Sequence, residues 1–171
     1  MHPFDFDLIE VMNRASPKLW SEVRQDWFGL MNHGRFPTGT GNTDTHMTQA
    51  EQPGFPVNLV QVAPPQAGEA LDLSGFVDAL RAGRTSVSNG SIVSMSVSST
   101  GNQAGPGGEL PAIGGTVCVT ATVQAAAWVP VPEVRLILDG EVVVTEKLAP
   151  LPSSREVHRG TFTWDLHLDE D

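Results

Sequence analysis

An aspartate and a histidine in the segment GNTDTH, Asp44 and His46, are the side chains whose types and spacing best suit chemistry. A carboxylate oxygen and an imidazole nitrogen together suit zinc, manganese or iron. Two residues apart, just beyond the end of a strand, both side chains can face one cation. The D-x-H pattern is short, and composition alone favours a simpler interpretation in which Asp44 caps a turn and His46 lies on the surface.

The short motifs of several large enzyme classes are absent from the sequence. It contains no G-x-S-x-G elbow, no G-x-x-x-x-G-K-[ST] loop, no G-x-G-x-x-G after a strand and no H-E-x-x-H. We therefore expect neither an elbow-type serine hydrolase, nor a P-loop nucleotidase, nor a dinucleotide-binding enzyme, nor a metalloprotease of the H-E-x-x-H type.

The chain is acidic along its whole length. Its 171 residues include 20 Asp and Glu against 10 Lys and Arg, which gives a net charge of -10. Binding to a phosphate backbone requires a basic patch, so we expect no nucleic-acid partner. No stretch approaches the roughly 20 apolar residues of a membrane span. A single cysteine, Cys118, excludes an internal disulfide.

A strand, a helix and a second strand are predicted ahead of the Asp-His pair. The apolar run from Phe6 to Met12 is typical of a strand buried on both faces of a parallel sheet. Ser16-Pro17 supplies a cap and a first helical residue for a helix from Lys18 to His33, which Gly34 ends. Phe36 to Thr40 predicts the second strand. GNTDTH would then lie at its C-terminal end, where α/β proteins place their sites.

Further along, the sequence changes from α/β to β-rich. Asn58 to Val62 predicts a strand and Leu73 to Ala82 a short amphipathic helix. Four or five alternating segments then predict antiparallel strands in a small β-sandwich-like module. The clearest signal is a hairpin whose two-residue turn is Asp139-Gly140. We therefore predict an α+β chain with an α/β part over residues 1–88 and a β-rich part over residues 89–171.

The order of these segments resembles the C-terminal part of the CehA/McbA-type PHP-domain metallohydrolases. The resemblance runs through IEVMN, GNTDTH, GFPVNLVQV, FVDALRAGRTSVSNG and WVPVPEVRLILDGEVV and covers most of the chain. GNTDTH is similar to that family's GNSDSH, with two Ser-to-Thr changes that keep the hydroxyls. The resemblance implies the last strands and helices of a distorted (β/α)7 barrel, followed by a β-rich appendage.

Five polar residues receive roles from this resemblance. Asp44 and His46 would be ligands of a divalent metal, either zinc, manganese or iron. Glu10 and Asn13 match a strand-end E-x-x-N of the family. Together with Asn42 they would surround the ligands without contacting the metal. No catalytic side chain is predicted within this chain.

Most of the family's ligands have no counterpart here. PHP enzymes take them from an early H-x-H and from acidic and histidine residues on strands before the one that corresponds to IEVMN. A catalytic metal site normally has at least three protein ligands. The resemblance therefore implies a fragment of a metal-dependent hydrolase, of phosphoesterase or esterase type, that holds metal weakly or not at all and is inactive alone. A small ester or phosphoester would be a substrate only of the intact parent.

A second interpretation remains open, in which the chain is a non-catalytic binding or interaction module. Its β-rich half would then supply the contact surface and its α/β half a scaffold. Under either interpretation, unpaired strands at Asp5 to Met12 and Phe162 to Leu168 predict self-association, because an exposed strand edge pairs readily with another chain.

Overall fold

The computed structural model describes residues 5–14, 16–47, 49, 53–111, 115–149 and 157–168. Within these residues it is a mixed α+β structure with two helices and ten strands. The chain divides into two compact units, Met1–Asn89 with Ile137–Glu141, and Gly90–Leu136 with Val142–Asp171. The predicted α+β class is confirmed. No helix in the described parts of the chain is both long and apolar enough to cross a membrane.

The first unit begins with a strand–helix–strand motif, formed by β1 (Leu8–Asn13), α1 (Pro17–Asn32) and β2 (Thr38–Asn42). β1 and β2 are parallel, in a register that sets Leu8 opposite Thr38 and shifts once between Glu10 and Met12. Parallel strands need a crossover connection, which α1 provides by packing against β1. The predicted parallel pairing is therefore present.

The sequence predicted both ends of α1 to within one residue, since the helix runs from Pro17 to Asn32. The Ser16 hydroxyl accepts a hydrogen bond from the Leu19 amide at 3.4 Å, as an N-cap does. His33 is the C-cap, and Gly34 follows with a φ of +73°, a conformation that glycine adopts without strain. The indole nitrogen of Trp27 donates to the Pro37 carbonyl at 2.8 Å, which ties the helix to the start of β2.

β1 is more exposed than its apolar run predicted. Val11 is 2% exposed, but Leu8 is 38% exposed and Phe6, just before the strand, 43%. The prediction of a strand buried on both faces was wrong, because α1 and β2 cover β1 only in part. β2 also begins two residues later than predicted, since Phe36 is 74% exposed and the buried, glycine-rich segment from Thr38 forms the strand instead.

The rest of the first unit contains β3 (Val57–Val60), α2 (Leu73–Arg81) and β4 (Thr85–Ser88). β3 and β4 form an antiparallel pair. The Asp72 carboxylate caps α2 by accepting from the Ser74 amide at 3.0 Å. Both predicted elements are present, although β3 ends at Val60 rather than Val62.

The second unit contains a four-stranded antiparallel sheet in the order β10-β7-β5-β6. Its strands are β5 (Ser91–Ser99), β6 (Asn102–Ala104), β7 (Gly115–Ala125) and β10 (His158–Leu168). β8 (Glu133–Leu138) and β9 (Glu141–Lys147) form a separate hairpin, of which Ile137–Glu141 belong to the first unit and the rest to the second. These antiparallel sheets fit the predicted β-sandwich-like module.

The two faces of the four-stranded sheet differ in chemistry. On β7 the buried face carries Val117, Val119, Ala121, Val123 and Ala125, each at most 6% exposed. The register places alternate residues of the three long strands on the opposite face, which we call the hydroxyl face. Its small polar residues are Ser94, Ser96, Ser98, Thr116, Cys118, Thr120, Thr122, Thr161 and Thr163. Such alternation is typical of a sheet that covers a core on one side only.

Candidate functional site

The five predicted site residues lie together at the C-terminal ends of β1 and β2. Asn13 is the last residue of β1 and Asn42 the last of β2, and the register sets them opposite each other. Asp44 and His46 lie in the loop that follows β2. Glu10 lies on β1, three residues before Asn13. Because parallel strands end at the same edge, two segments about 30 residues apart in sequence meet here.

Glu10 joins the ends of the two strands. Its Oε1 accepts a hydrogen bond from Asn42 Nδ2 at 2.7 Å, and its Oε2 accepts one from Asn13 Nδ2 at 3.1 Å. One carboxylate therefore holds an amide from each strand. Glu10 itself is exposed, so these bonds act at the surface and their main effect is to orient the three side chains.

Asp44 binds two cationic or cation-forming groups. Its Oδ1 lies 2.7 Å from His46 Nε2, and its Oδ2 lies 3.4 Å from Arg14 Nε. A second guanidinium nitrogen of Arg14 donates to the Asp44 carbonyl at 3.4 Å. The side chains of Asp44 and His46 are 37% and 67% exposed. We call Arg14, Asp44 and His46 the Asp-His-Arg group.

Two unusual backbone conformations position this group. Arg14 has a φ of +52° and Asp44 a φ of +48°, in the left-handed region that few non-glycine residues adopt, although Asp does so more readily than most. Arg14 also donates its amide to the Asn42 carbonyl at 3.0 Å. That bond extends the β1–β2 pairing by one residue and brings the Arg14 side chain onto Asp44.

The Asp44 carboxyl group is held in its ionised form. The hydrogen bond with His46 lowers the pKa of Asp44 below its ordinary value, and partial burial opposes this effect. The charge of His46, a hydrogen bond from Asn13 and the charge of Arg14 lower the pKa of Asp44 further. Asp44 is therefore an anion at neutral pH, whose oxygens can bind a cation or orient an imidazole.

As a metal site, this arrangement would supply two ligands from one loop. Asp44 Oδ1 and His46 Nε2 are hydrogen-bonded to each other at 2.7 Å, so an ion bound by both atoms would have to replace this bond. Across the described residues, no group of three or more His, Cys, Asp or Glu side chains is arranged to hold a metal ion. Glu10 is engaged by two asparagine amides rather than directed at the Asp-His pair.

Sequence analysis missed two residues that shape this edge, Arg14 and Asn58. The side-chain amide of Asn58 on β3 forms two hydrogen bonds with the main chain of Gly41 on β2. Gly41 N donates to Asn58 Oδ1 at 2.8 Å, and Asn58 Nδ2 donates to the Gly41 carbonyl at 2.9 Å. The amide thus takes the place of a main-chain strand partner. One signal was available, since asparagine is disfavoured inside strands and its presence in β3 requires a reason.

Gly41 is required at its position because other groups pack closely on it. A Cβ atom there would overlap a methyl group of Val87 and lie 3.1 Å from two carbons of the Pro56 ring. Close approach of the β3–β4 pair to β2 therefore depends on glycine. This packing holds the last residues of β2, and with them the start of the Asp44 loop.

Comparison of the chain with family models, with curated proteins and with solved structures gives no match in any of the three.

Proposed function

We propose that the strand-end residues form part of the divalent-metal centre of a hydrolase, with Asp44 and His46 as the ligands that this chain supplies. The observation that carries the proposal is the pairing of Asp44 Oδ1 with His46 Nε2 at 2.7 Å, which a shared metal ion would replace, at the C-terminal edge of a parallel strand pair. Sites of α/β proteins form at that edge. The β1–α1–β2 motif would then belong to a (β/α)7 barrel of the PHP type.

The chemistry of the donor set fits such a metal. Asp44 is ionised, because its neighbours lower its pKa, and carboxylate oxygen and imidazole nitrogen are both ordinary ligands of zinc and iron. When bound, a metal of this kind lowers the pKa of a coordinated water, which can then attack an ester or phosphoester.

The neighbouring residues would have positioning roles. Glu10 holds the amides of Asn13 and Asn42, and Asn13 also donates to Asp44. The orientation of the Asp44 carboxylate is thereby linked to both strands. Arg14 acts in the opposite direction, because its guanidinium occupies one carboxylate oxygen and competes with an added cation.

Two ligands are fewer than a catalytic metal site normally has. The proposal therefore requires further ligands from another segment or another chain. For the 171-residue chain alone we infer weak metal binding and little or no turnover of esters or phosphoesters. A small ester or phosphoester is then the substrate only of the complete centre.

Elemental analysis and metal titration of the tag-free chain test this proposal. We expect bound zinc, manganese or iron at substoichiometric levels, lost in His46→Ala and kept in His33→Ala. His33 is a suitable control because it is an exposed histidine at the end of α1 whose ring contacts the Gly29 carbonyl. Metal binding that is absent from the wild-type chain, or that survives in His46→Ala, would contradict the ligand assignment. Rapid metal-dependent hydrolysis that His46→Ala abolishes would contradict the inferred incompleteness.

A non-catalytic binding module is the second candidate function. The hydroxyl face favours it, because small polar side chains on three adjacent strands make a continuous surface suited to contact rather than to catalysis. Under this hypothesis the Asp-His-Arg group is a structural ion-pair network. Metal-free protein in the titration, with an unchanged fold in His46→Ala by far-UV circular dichroism, would favour this candidate over the first.

A further inference from the structure

We propose that β10 pairs with β10 of a second copy of this chain, so that two four-stranded sheets join at their β10 edges. β10 is the last strand of its sheet and pairs with β7 alone among the described strands. This pairing runs from His158 to Leu168. The opposite edge of β10 therefore presents a long row of main-chain donors and acceptors without a strand partner in the described part of the chain.

Beyond its start, β10 has few of the features that usually protect such an edge, since Asp165 is the one Asp, Glu, Lys or Arg between Thr161 and Leu168. Along its length it has no proline and no lysine, and its one register shift lies at its start, between His158 and Gly160. From Thr161 to Leu168 the strand is regular. Native edge strands are commonly blunted by charges, proline or bulges, and a long regular edge is a template for another strand.

A second copy fits this edge because β10 is complementary to itself. An antiparallel pair related by a two-fold axis at the strand's central residue, Thr163, places Thr163 opposite Thr163 of the second copy. The same register places Phe162 opposite Trp164 and Thr161 opposite Asp165. Thr–Thr and aromatic pairs are favourable in antiparallel sheets, and no like charges face each other.

The existing side-chain arrangement already suits this register. Phe162 and Trp164 are stacked on the same side of β10, with ring centroids 5.8 Å apart and an angle of 9° between the ring planes. On the other side, the Thr161 hydroxyl lies 3.2 Å from that of Thr122 on β7. In the joined sheet, apolar side chains continue across the two-fold axis on one face and hydroxyls on the other.

Charge also favours this edge for self-association. Two copies that each carry a net charge of -10 repel one another. Within β10, however, Arg159 and Asp165 balance each other. Glu146 of β9 adds a negative charge beside Trp164, whose indole nitrogen donates to it at 3.5 Å. Approach through this edge therefore brings together two strands that are themselves neutral, although each chain is acidic.

Opposite-charge variants at the two-fold axis test the proposal. For the wild-type chain, sedimentation equilibrium from about 1 μM to 1 mM should show the mass rising from 18.3 kDa toward twice that value. Thr163→Lys and Thr163→Asp each place like-charged side chains opposite each other, with Cβ atoms about 5 Å apart, so each should weaken the dimer, by about fourfold for charges at that separation in water. An equimolar mixture of the two should recover it. Since one variant makes the chain less acidic and the other more, a change in net charge cannot account for loss in both.

The control is Ser94→Lys, which puts the same charge on an exposed residue of the hydroxyl face, on β5 rather than β10. We expect this variant to dimerise like the wild type, and far-UV circular dichroism will show whether each variant is folded. A mass of 18.3 kDa at every concentration would overturn the proposal. So would a dimer that Thr163→Lys leaves intact, or one that Ser94→Lys abolishes, because the contact would then lie elsewhere.

Discussion

Replacing Asn58 by alanine should destabilise the first unit far more than the size of the side chain suggests. Asn58 forms one hydrogen bond to the amide and one to the carbonyl of Gly41, at 2.8 and 2.9 Å, and Gly41 is buried within β2. Alanine removes both partners and leaves a buried donor and a buried acceptor unpaired. Each such group costs about 1–3 kcal/mol, and partial access of water lowers the sum, so we expect a loss of about 2–4 kcal/mol.

Hydrogen exchange at the Gly41 amide measures this loss at the place where it occurs. A loss of about 2–4 kcal/mol corresponds to exchange that is roughly 30- to 700-fold faster, provided that the exchange rate is proportional to the equilibrium constant for opening. Urea unfolding gives an independent value for the free energy of unfolding, with the m value expected to stay constant.

Gln61→Ala is the matched control, because Gln61 is an exposed amide just beyond β3 whose main-chain bond to Arg84 is unaffected. Its substitution should change the free energy of unfolding by less than about 0.5 kcal/mol. If Asn58→Ala costs no more than Gln61→Ala, or if the Gly41 amide keeps its protection, then the Asn58 amide does not hold β2 in the way described.

Three further predictions follow from single contacts. Gly41→Ala should destabilise the fold by about 1–3 kcal/mol, because the added methyl group overpacks the space at Val87. Gly29→Ala, in α1 with open space around it, should instead stabilise the fold by about 0.5–1 kcal/mol. Thermal unfolding of the two variants measures both changes. The Asp44 carboxyl, monitored by carbon NMR, should titrate below the ordinary aspartate pKa, so that its contribution to stability is complete above about pH 4 and is lost as the pH falls through its lowered pKa. Burial raises the pKa of the Cys118 thiol, and Asp165 raises it further. Because the thiolate is the reactive form, iodoacetamide should alkylate Cys118 faster in Asp165→Asn at pH 8. An unchanged rate would exclude Asp165 as a cause of the raised pKa.

The elements that sequence predicted best are those defined by local chemistry. Ser16-Pro17 and Gly34 mark the ends of α1, and each acts through its own backbone or a residue within one turn. The β8–β9 hairpin was equally clear. Its turn residues Asp139 and Gly140 have φ values of +51° and +88°, as a two-residue turn between twisted strands requires.

Strand limits and burial were predicted less well, because packing between distant segments decides them. The sequence predicted β2 at Phe36 to Thr40, but the strand is Thr38–Asn42, which is buried except at Asn42 and is approached closely by Val87 and Pro56 at Gly41. The same limitation applies to β1, whose partial exposure depends on which elements cover it. The pattern of apolar residues shows which faces of a strand can be buried. The elements that pack against the strand determine which faces are buried.

The order of strands and helices predicted where the candidate site lies. It did not predict which side chains of the site form hydrogen bonds or ion pairs with one another. A strand, a helix and a strand suffice to bring Glu10, Asn13, Asn42, Asp44 and His46 to one edge, and all five lie there. Whether Glu10 faces Asp44 or two asparagines depends on side-chain geometry. The bond between Arg14 and Asp44 joins residues 30 positions apart and rests on two left-handed backbone conformations that no local pattern marks.

The contact of Asn58 with Gly41 has a consequence for how this protein can change in evolution. Both hydrogen bonds end on the main chain of residue 41, which every amino acid other than proline presents in the same form. Substitutions at the two positions are thus not compelled to compensate each other, and pairwise covariation would carry no trace of this contact. Each position is instead constrained on its own, residue 41 by the space that Val87 leaves and residue 58 by the need for a donor and an acceptor on one short side chain.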